Sequence, residues 1–325
     1  MKIAITDWTF PDLGIEEQIV ASHGGRVEAR QCKTEEGLIE LVADAETVIT
    51  QFARLTPRVI GAMAKARAIV RYGIGVDNVD LQAARSHGIP VCNVPDYCID
   101  EVADHTLAFI LSLTRQVVSH TVDIRSGQWR LAVPLAEMKA LRELVVGIVG
   151  FGRIGREVAR RLSVFKCAIL VHDPMVAPDV MTAAGATAVT LQEVVSRSDV
   201  LTLHCPSTPT TRKLINIETL ADMKRGAILI NVARGDLVDS SALVQALESG
   251  VLAAAGLDVF DPEPIPLDHP VRRLKSVILT PHIASASPTA VKTLRETAAR
   301  LAVVAARGDL PANIVNGVTA PRGFA

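Results

Sequence analysis

The chain has 325 residues, 49 % of them hydrophobic, 21 % charged and only 3 % aromatic, with a formal net charge of −1. That length suggests about two domains, with cores filled by Ala, Val, Leu and Ile. No basic excess marks a nucleic-acid footprint, and no apolar run approaches the roughly 18 residues of a membrane span. Met1 to Asp7 read as a short strand, with no basic start or long apolar stretch to suggest a secretory leader. Cys32, Cys92, Cys98, Cys167 and Cys205 are odd in number and form no CxxC pair, so the expectation is reduced thiols in a cytoplasmic protein, with neither a disulfide framework nor a metal site.

Short β-branched runs alternate with helical stretches, the rhythm of parallel α/β architecture. In the first hundred residues strands are predicted at 2–6, 47–50, 68–72 and 90–93, with helices at 14–23, 35–43 and 57–63 between them. This pattern reads as a doubly wound unit of its own. One long helix is predicted from Glu101 to His120, followed by a polar stretch at 126–130. A second βα series begins at Leu144 and ends near Ala286. Ser287-Pro288 then has the form of a cap followed by proline at the first helical position, and Gly308 is the stop of a helix ending at Arg307.

The second series opens with an apolar strand, 144–149, running into Gly150-Phe151-Gly152-Arg153-Ile154-Gly155 and then a helical stretch. In that setting GxGxxG is a dinucleotide fingerprint: Gly150 permits the turn, Gly152 lets backbone approach a pyrophosphate, and Gly155 lets helix and strand pack closely. Arg153 and Ile154 lie within the same turn. The free N–H groups at the helix start hold the phosphates. The next strand ends at Asp173, 18 residues after Gly155, where a carboxylate accepts hydrogen bonds from ribose hydroxyls. It would repel a 2′-phosphate, and Pro174 and Met175 offer no neutralising arginine, so NAD is expected over NADP.

Predicted strands of this series end at Gly150, Asp173, Cys205, Arg234, Asp258 and His282, at intervals of 23, 32, 29, 24 and 24 residues. In an open parallel sheet these ends line one crevice, where ligands bind. The strings Arg71–Asn78, Gly150–Gly155, Asn231–Gly235, Asp258–Pro264 and Thr280–Ala284, in that order, resemble the D-isomer-specific 2-hydroxyacid dehydrogenase family along essentially the whole chain. That family includes phosphoglycerate, hydroxypyruvate, glyoxylate and D-lactate enzymes.

The resemblance implies an α/β protein of two doubly wound domains. A Rossmann dinucleotide-binding domain, 101–287, would be inserted into a flavodoxin-like substrate domain made of 1–100 and 288–325. It implies hydride transfer between NAD and the 2-carbon of a small 2-hydroxy or 2-keto acid of D configuration. Arg234 would hold the substrate's carboxylate and keto oxygen with its planar fork. His282 would be the acid in reduction and the base in oxidation, with Glu263 on its other ring nitrogen. Glutamate at 263 also separates this chain from the formate dehydrogenase branch, which resembles the pattern but carries glutamine there.

By the same resemblance Gly73, Ile74 and Gly75 would bind the substrate carboxylate, and Asp258 the nicotinamide carboxamide. Thr106, Cys205, Val232 and Ala233 would be cofactor neighbours, and a homodimer through the inserted domain is implied. The other histidines, His105, His172 and His204 among them, read as structural.

Two alternatives stay open. A dedicated phosphoglycerate dehydrogenase needs extra basic side chains for the phosphate, for which Arg54 and Arg71 are candidates; the regulatory C-terminal domain of many such enzymes is not expected in 325 residues. C-terminal-binding-protein co-repressors, which sense NAD(H) without needing turnover, share some likeness at Cys92–Pro95 and Glu101–Asp104. Substrate size is expected to be set near 50–54, 72–75, 97–99 and 129–135.

Overall fold

In a computed structural model that describes residues 1–324, the chain folds into two compact units. One joins Met1–Cys98 to Ser287–Ala325, and the other is Ile99–Ala286.

In the first unit, strands β1 (Lys2–Ile5), β2 (Arg26–Ala29), β3 (Thr47–Thr50), β4 (Ala68–Arg71) and β5 (Val91–Cys92) alternate with helices α1 (Gly14–Ser22), α2 (Glu35–Val42), α3 (Pro57–Gly61) and α4 (Leu81–Ser86). The strands form one parallel sheet in the order β2-β1-β3-β4-β5, the flavodoxin-like order. β1, β3 and β4 are buried along their whole length, and their apolar runs show in the sequence. β2 escapes a hydrophobic reading because it is a partly exposed edge strand, Arg-Val-Glu-Ala, whose two charges blunt the sheet edge.

The second unit opens with α5 (Ile99–Thr114) and α6 (Val117–Arg125). Between them Gln116 takes a left-handed φ of 56° and breaks the single helix expected over 101–120. The reason lies in packing. α5 buries Val102, Ala103, Thr106, Phe109, Ile110 and Leu113, whereas α6 buries no residue, so no buried face carries the axis onward past Thr114.

A regular series follows: β6 (Val145–Val149), α7 (Arg153–Ser163), β7 (Ala168–His172), α8 (Pro178–Ala183), β8 (Thr187–Ala188), α9 (Leu191–Arg197), β9 (Val200–Leu203), α10 (Ile217–Asp222), β10 (Ala227–Asn231), α11 (Ser240–Glu248), β11 (Leu252–Leu257) and β12 (Val277–Leu279). The sheet is parallel throughout, in the order β12-β11-β10-β9-β6-β7-β8. Counted from β6, that is the Rossmann order 3-2-1-4-5-6 with one further strand at the edge. The sequence reading passes over β8, whose two residues are too few to show a period. Because every strand runs the same way, the residues after β6, β7, β9, β10, β11 and β12 emerge at one edge.

The chain returns to the first unit as α12 (Pro288–Ala306), where Ser287 Oγ accepts from Ala290 N at 3.0 Å as the cap. This helix buries Arg295, only 5 % exposed, which donates to both oxygens of the buried Glu16 at 2.9 and 2.7 Å. Tyr72 OH donates to the same carboxylate at 3.0 Å. Among the described residues no helix is long and apolar enough to cross a membrane.

Candidate active site

At the β6–α7 turn the three glycines do three different jobs. Gly150 has a φ of 95°, and a Cβ there would lie 2.5 Å from Cys205 N, so the turn packs directly on the end of β9. A Cβ on Gly155 would lie 2.2 Å from Gly150 O, which is the close helix–strand approach. A Cβ on Gly152 would meet nothing within 4 Å. No protein packing requires glycine at 152, and the open space is a cradle for a ligand pressed against backbone.

Gly152 also caps α7 without a side-chain hydrogen bond, so the first N–H groups of this 11-residue helix have no side-chain cap, and their positive end faces outward with the exposed Arg153. Ile154 is half-buried behind them. Asp173 stands beside the turn, its Oδ2 accepting from Phe151 N at 2.6 Å and its Oδ1 from Met175 N at 2.8 Å. A carboxylate has about four acceptor positions, so two remain for ribose hydroxyls. These residues fit a dinucleotide.

Beyond β9, burial pushes the Cys205 thiol up to about 11 and the His204 imidazole down to about 3. Cys205 is therefore a neutral wall. His204 stays uncharged, its Nε2 hydrogen-bonded to Thr202 Oγ1 at 2.9 Å.

The turn after β10 carries Arg234. Asn231, 1 % exposed, staples this turn: its Nδ2 donates to Arg234 O at 2.7 Å and its Oδ1 accepts from Ala233 N at 3.1 Å. Arg234 Nη1 donates to Ala233 O at 2.7 Å, and Val232 is buried beneath. The following residue, Gly235, touches the loop after β11: a Cβ there would lie 2.0 Å from Phe260 C and O. That contact brings the arginine turn against the segment that holds Glu263.

Glu263 lies between two prolines, each joined by a cis peptide bond, and its Oε1 accepts from Phe260 N at 2.9 Å. Its Oε2 lies 2.7 Å from His282 Nδ1. Burial pushes the Glu263 carboxyl up, but the His282 hydrogen bond and charge, the Phe260 N–H and the Arg234 guanidinium outweigh it and hold the group below the ordinary carboxylate value. Arg234, Glu263 and His282 are thus one electrostatic cluster, drawn from three successive strand ends.

His282 itself has a φ of 53°, the left-handed region that a non-glycine residue enters at a cost. Its N–H donates to Asp258 O at 2.7 Å. The Asp258 carboxylate, 1 % exposed, accepts from Thr280 Oγ1 at 2.5 Å, Ile283 N at 2.9 Å and Ala284 N at 2.8 Å. Three internal donors leave it about one acceptor position, which the contact with a nicotinamide carboxamide expected from sequence would use. Thr106, another expected cofactor neighbour, is fully buried and gives its hydroxyl to Val102 O at 2.7 Å.

In the first unit, Gly73, Ile74 and Gly75 follow β4. Gly73 has a φ of 141°, and the Arg71 guanidinium lies where its Cβ would be. Arg71 is 8 % exposed and stacks over the Phe52 ring at 5.9 Å, whereas Arg54 is exposed. Among the described residues no group of three or more His, Cys, Asp or Glu is placed to hold a metal ion.

Residues 107–284 match the family model described as D-isomer specific 2-hydroxyacid dehydrogenase, NAD binding domain. A glyoxylate reductase of Korarchaeum cryptofilum is 38 % identical over 282 residues, 86 % of this chain and 85 % of that one. The chain belongs to the D-isomer-specific 2-hydroxyacid dehydrogenase family.

Another member, a D-3-phosphoglycerate dehydrogenase of Methanocaldococcus jannaschii, is 35 % identical over 330 residues, which is 99 % of this chain but only 60 % of that relative's length. A crystal structure of a protein from Thermus thermophilus superposes with a TM-score of 0.86 at 37 % identity, covering 97 % of this chain and 100 % of the other. The dinucleotide of this dehydrogenase family member is NAD. Asn231, Gly235, Phe260 and Thr280 shape the cluster without having been singled out from sequence. All four stand within three positions of a proposed catalytic residue, yet only their contacts in space assign them work.

Proposed function

We propose that this chain is an NAD-dependent dehydrogenase that interconverts small 2-keto acids and D-2-hydroxy acids. The observation that carries the reading is the Arg234–Glu263–His282 cluster, with imidazole and carboxylate 2.7 Å apart. Bound NADH supplies the hydride for the 2-carbon. Arg234, with its planar guanidinium fork, anchors the substrate carboxylate and polarises the keto oxygen. With Nδ1 held by Glu263, His282 Nε2 is the atom that gives the proton to the nascent alkoxide in reduction and takes it back in oxidation. The negative charge of Glu263 stabilises the imidazolium that this requires. In the first unit, Gly73 N–H donates to Arg71 O at 2.9 Å, so Ile74 and Gly75 would be the residues of that turn to meet a carboxylate.

A panel of 2-keto acids with NADH tests the reading: glyoxylate, hydroxypyruvate, pyruvate and 3-phosphohydroxypyruvate. Turnover of at least one, lost by about 10²-fold or more in His282→Ala, supports it. Saturable NADH binding with no turnover of any would instead fit a dinucleotide sensor. The phosphorylated member of the panel separates a dedicated phosphoglycerate dehydrogenase from an enzyme of unphosphorylated acids. Chiral analysis of the product checks the D configuration.

We also infer a homodimer through the second unit. α6 buries no residue, and Val117, Val118, Val122 and Ile124 on it are 42–58 % exposed, followed by Trp129 at 92 % and Leu135 at 70 %. Exposed apolar side chains gathered in one segment are the mark of an association surface. Sedimentation of the wild type against Val122→Asp/Trp129→Ser checks it, with the variant expected to be monomeric.

A further inference from the structure

Resting on that reading, we propose that His105 and Thr280 are positioning residues for His282, linked to it through Asp258 by one hydrogen-bond chain. Its direction follows from donor counting. The Asp258 carboxylate only accepts, so the single Thr280 hydroxyl proton goes to Asp258 Oδ1, 2.5 Å away. Towards His105 Nε2, at 3.0 Å, the Thr280 oxygen can then only accept. His105 therefore carries a proton on Nε2 and donates it.

The Phe109 ring stands edge-on to the imidazole, with centroids 4.6 Å apart and planes 79° apart, and fixes its plane. At the other end of the chain, Asp258 accepts from Ile283 N and Ala284 N, the two residues after His282, while its carbonyl takes the His282 N–H. Every backbone donor from 282 to 284 is thus bound to one residue, whose carboxylate is oriented in turn by Thr280 and His105.

His282 needs such support. A histidine at φ 53° keeps that conformation only where its surroundings over-determine it, and the 2.7 Å bond to Glu263 requires the ring in one orientation. Burial of Asp258, 1 % exposed, strengthens the bonds that it accepts, because little water competes for its oxygens. His105 belongs to α5, the helix by which the chain enters the second unit, so the relay ties that helix to the proposed acid–base group. A merely structural histidine on α5 would be indifferent to whether residue 280 has a hydroxyl.

The test uses Thr280→Val, which keeps the shape and deletes the hydroxyl, Thr280→Ser, which restores it, His105→Phe, and the double variant Thr280→Val/His105→Phe. With the best keto acid of the panel, Thr280→Val should lose about 10- to 100-fold in kcat, with KM and the NADH Kd within about twofold. Thr280→Ser should recover to within about threefold of wild type. The double variant should be no slower than the slower single one, because members of one chain do not add.

A readout free of turnover is the downfield proton resonance of the His282–Glu263 hydrogen bond, assigned by its absence from Glu263→Ala. It should shift or broaden in Thr280→Val and return in Thr280→Ser. A Thr280→Val protein with wild-type kcat and an unchanged resonance overturns the proposal, as do single-variant effects that multiply in the double variant. If the wild type turns over no keto acid, the function proposed above fails, and the resonance alone still decides this inference.

Discussion

Replacing Gly235 by alanine adds one methyl group at the point where two functional loops touch. The new Cβ would lie 2.0 Å from Phe260 C and O and 2.6 Å from Asp261 N, all backbone atoms that no rotamer change can move. Ordinary contact begins near 3.4 Å, so the turn bearing Arg234 and the segment bearing Glu263 must separate by about 1.4 Å. The backbone at 235 has no positive φ, so the effect is steric and not a matter of glycine's conformational freedom. Overpacking of this size costs about 1–3 kcal/mol of stability. A displacement of about 1 Å at reacting groups costs about 10²-fold in rate. The expected Gly235→Ala enzyme is folded, with a Tm lowered by a few degrees and kcat/KM on keto acids reduced about 100-fold. Its NADH affinity should stay near wild type, because Gly150–Gly155 and Asp173 lie at other strand ends. Steady-state kinetics, NADH fluorescence titration and a thermal melt measure all three. A variant with wild-type kcat/KM would refute the idea that this backbone contact sets the spacing of arginine and carboxylate.

Glu263 is held below its ordinary value of 4.5, so its charge, and the stability that the His282 pair contributes, are present above that pH and lost only as pH falls through the lower folded value. The acid limb of keto-acid reduction that reports Glu263 should accordingly lie below pH 4.5, and an acid limb assigned to Glu263 above that pH would contradict the geometry. His204 has the opposite sign: the folded state keeps it neutral down to about 3 while the unfolded chain takes a proton below 6.5, so stability falls as pH drops through that window. At pH 4 the penalty is on the order of 3 kcal/mol; His204→Asn should lose less stability between pH 7 and 4 in urea titrations, and parallel curves would exclude the role. Glu16→Ala leaves the buried Arg295 only Asp12, whose Oδ1 and O lie 3.2 and 2.8 Å from Nη2, and should cost about 3 kcal/mol, read as a drop in urea midpoint; a loss under about 1 kcal/mol would mean that the Glu16 pair is not the lock between α1 and α12.

The alternating parallel architecture, the dinucleotide turn and the strand ends that carry Arg234, Asp258 and His282 were all legible in the order of the amino acids. Those features are local: a buried parallel strand must be an apolar run, and a turn that packs on β9, admits a ligand and touches its own helix must carry glycine at each of three positions. The rest came from long-range packing. The helix expected over 101–120 broke at Gln116 because the buried face of α5 ends, which no local propensity reveals. The edge strands β2 and β8 escaped because one is charged and the other two residues long. Asp258 was legible as a strand-end carboxylate, but its partners Thr280, Ile283 and Ala284 lie 22 to 26 positions away. Only folding, by bringing those donors to one acceptor, makes this residue the anchor of a strained histidine as well.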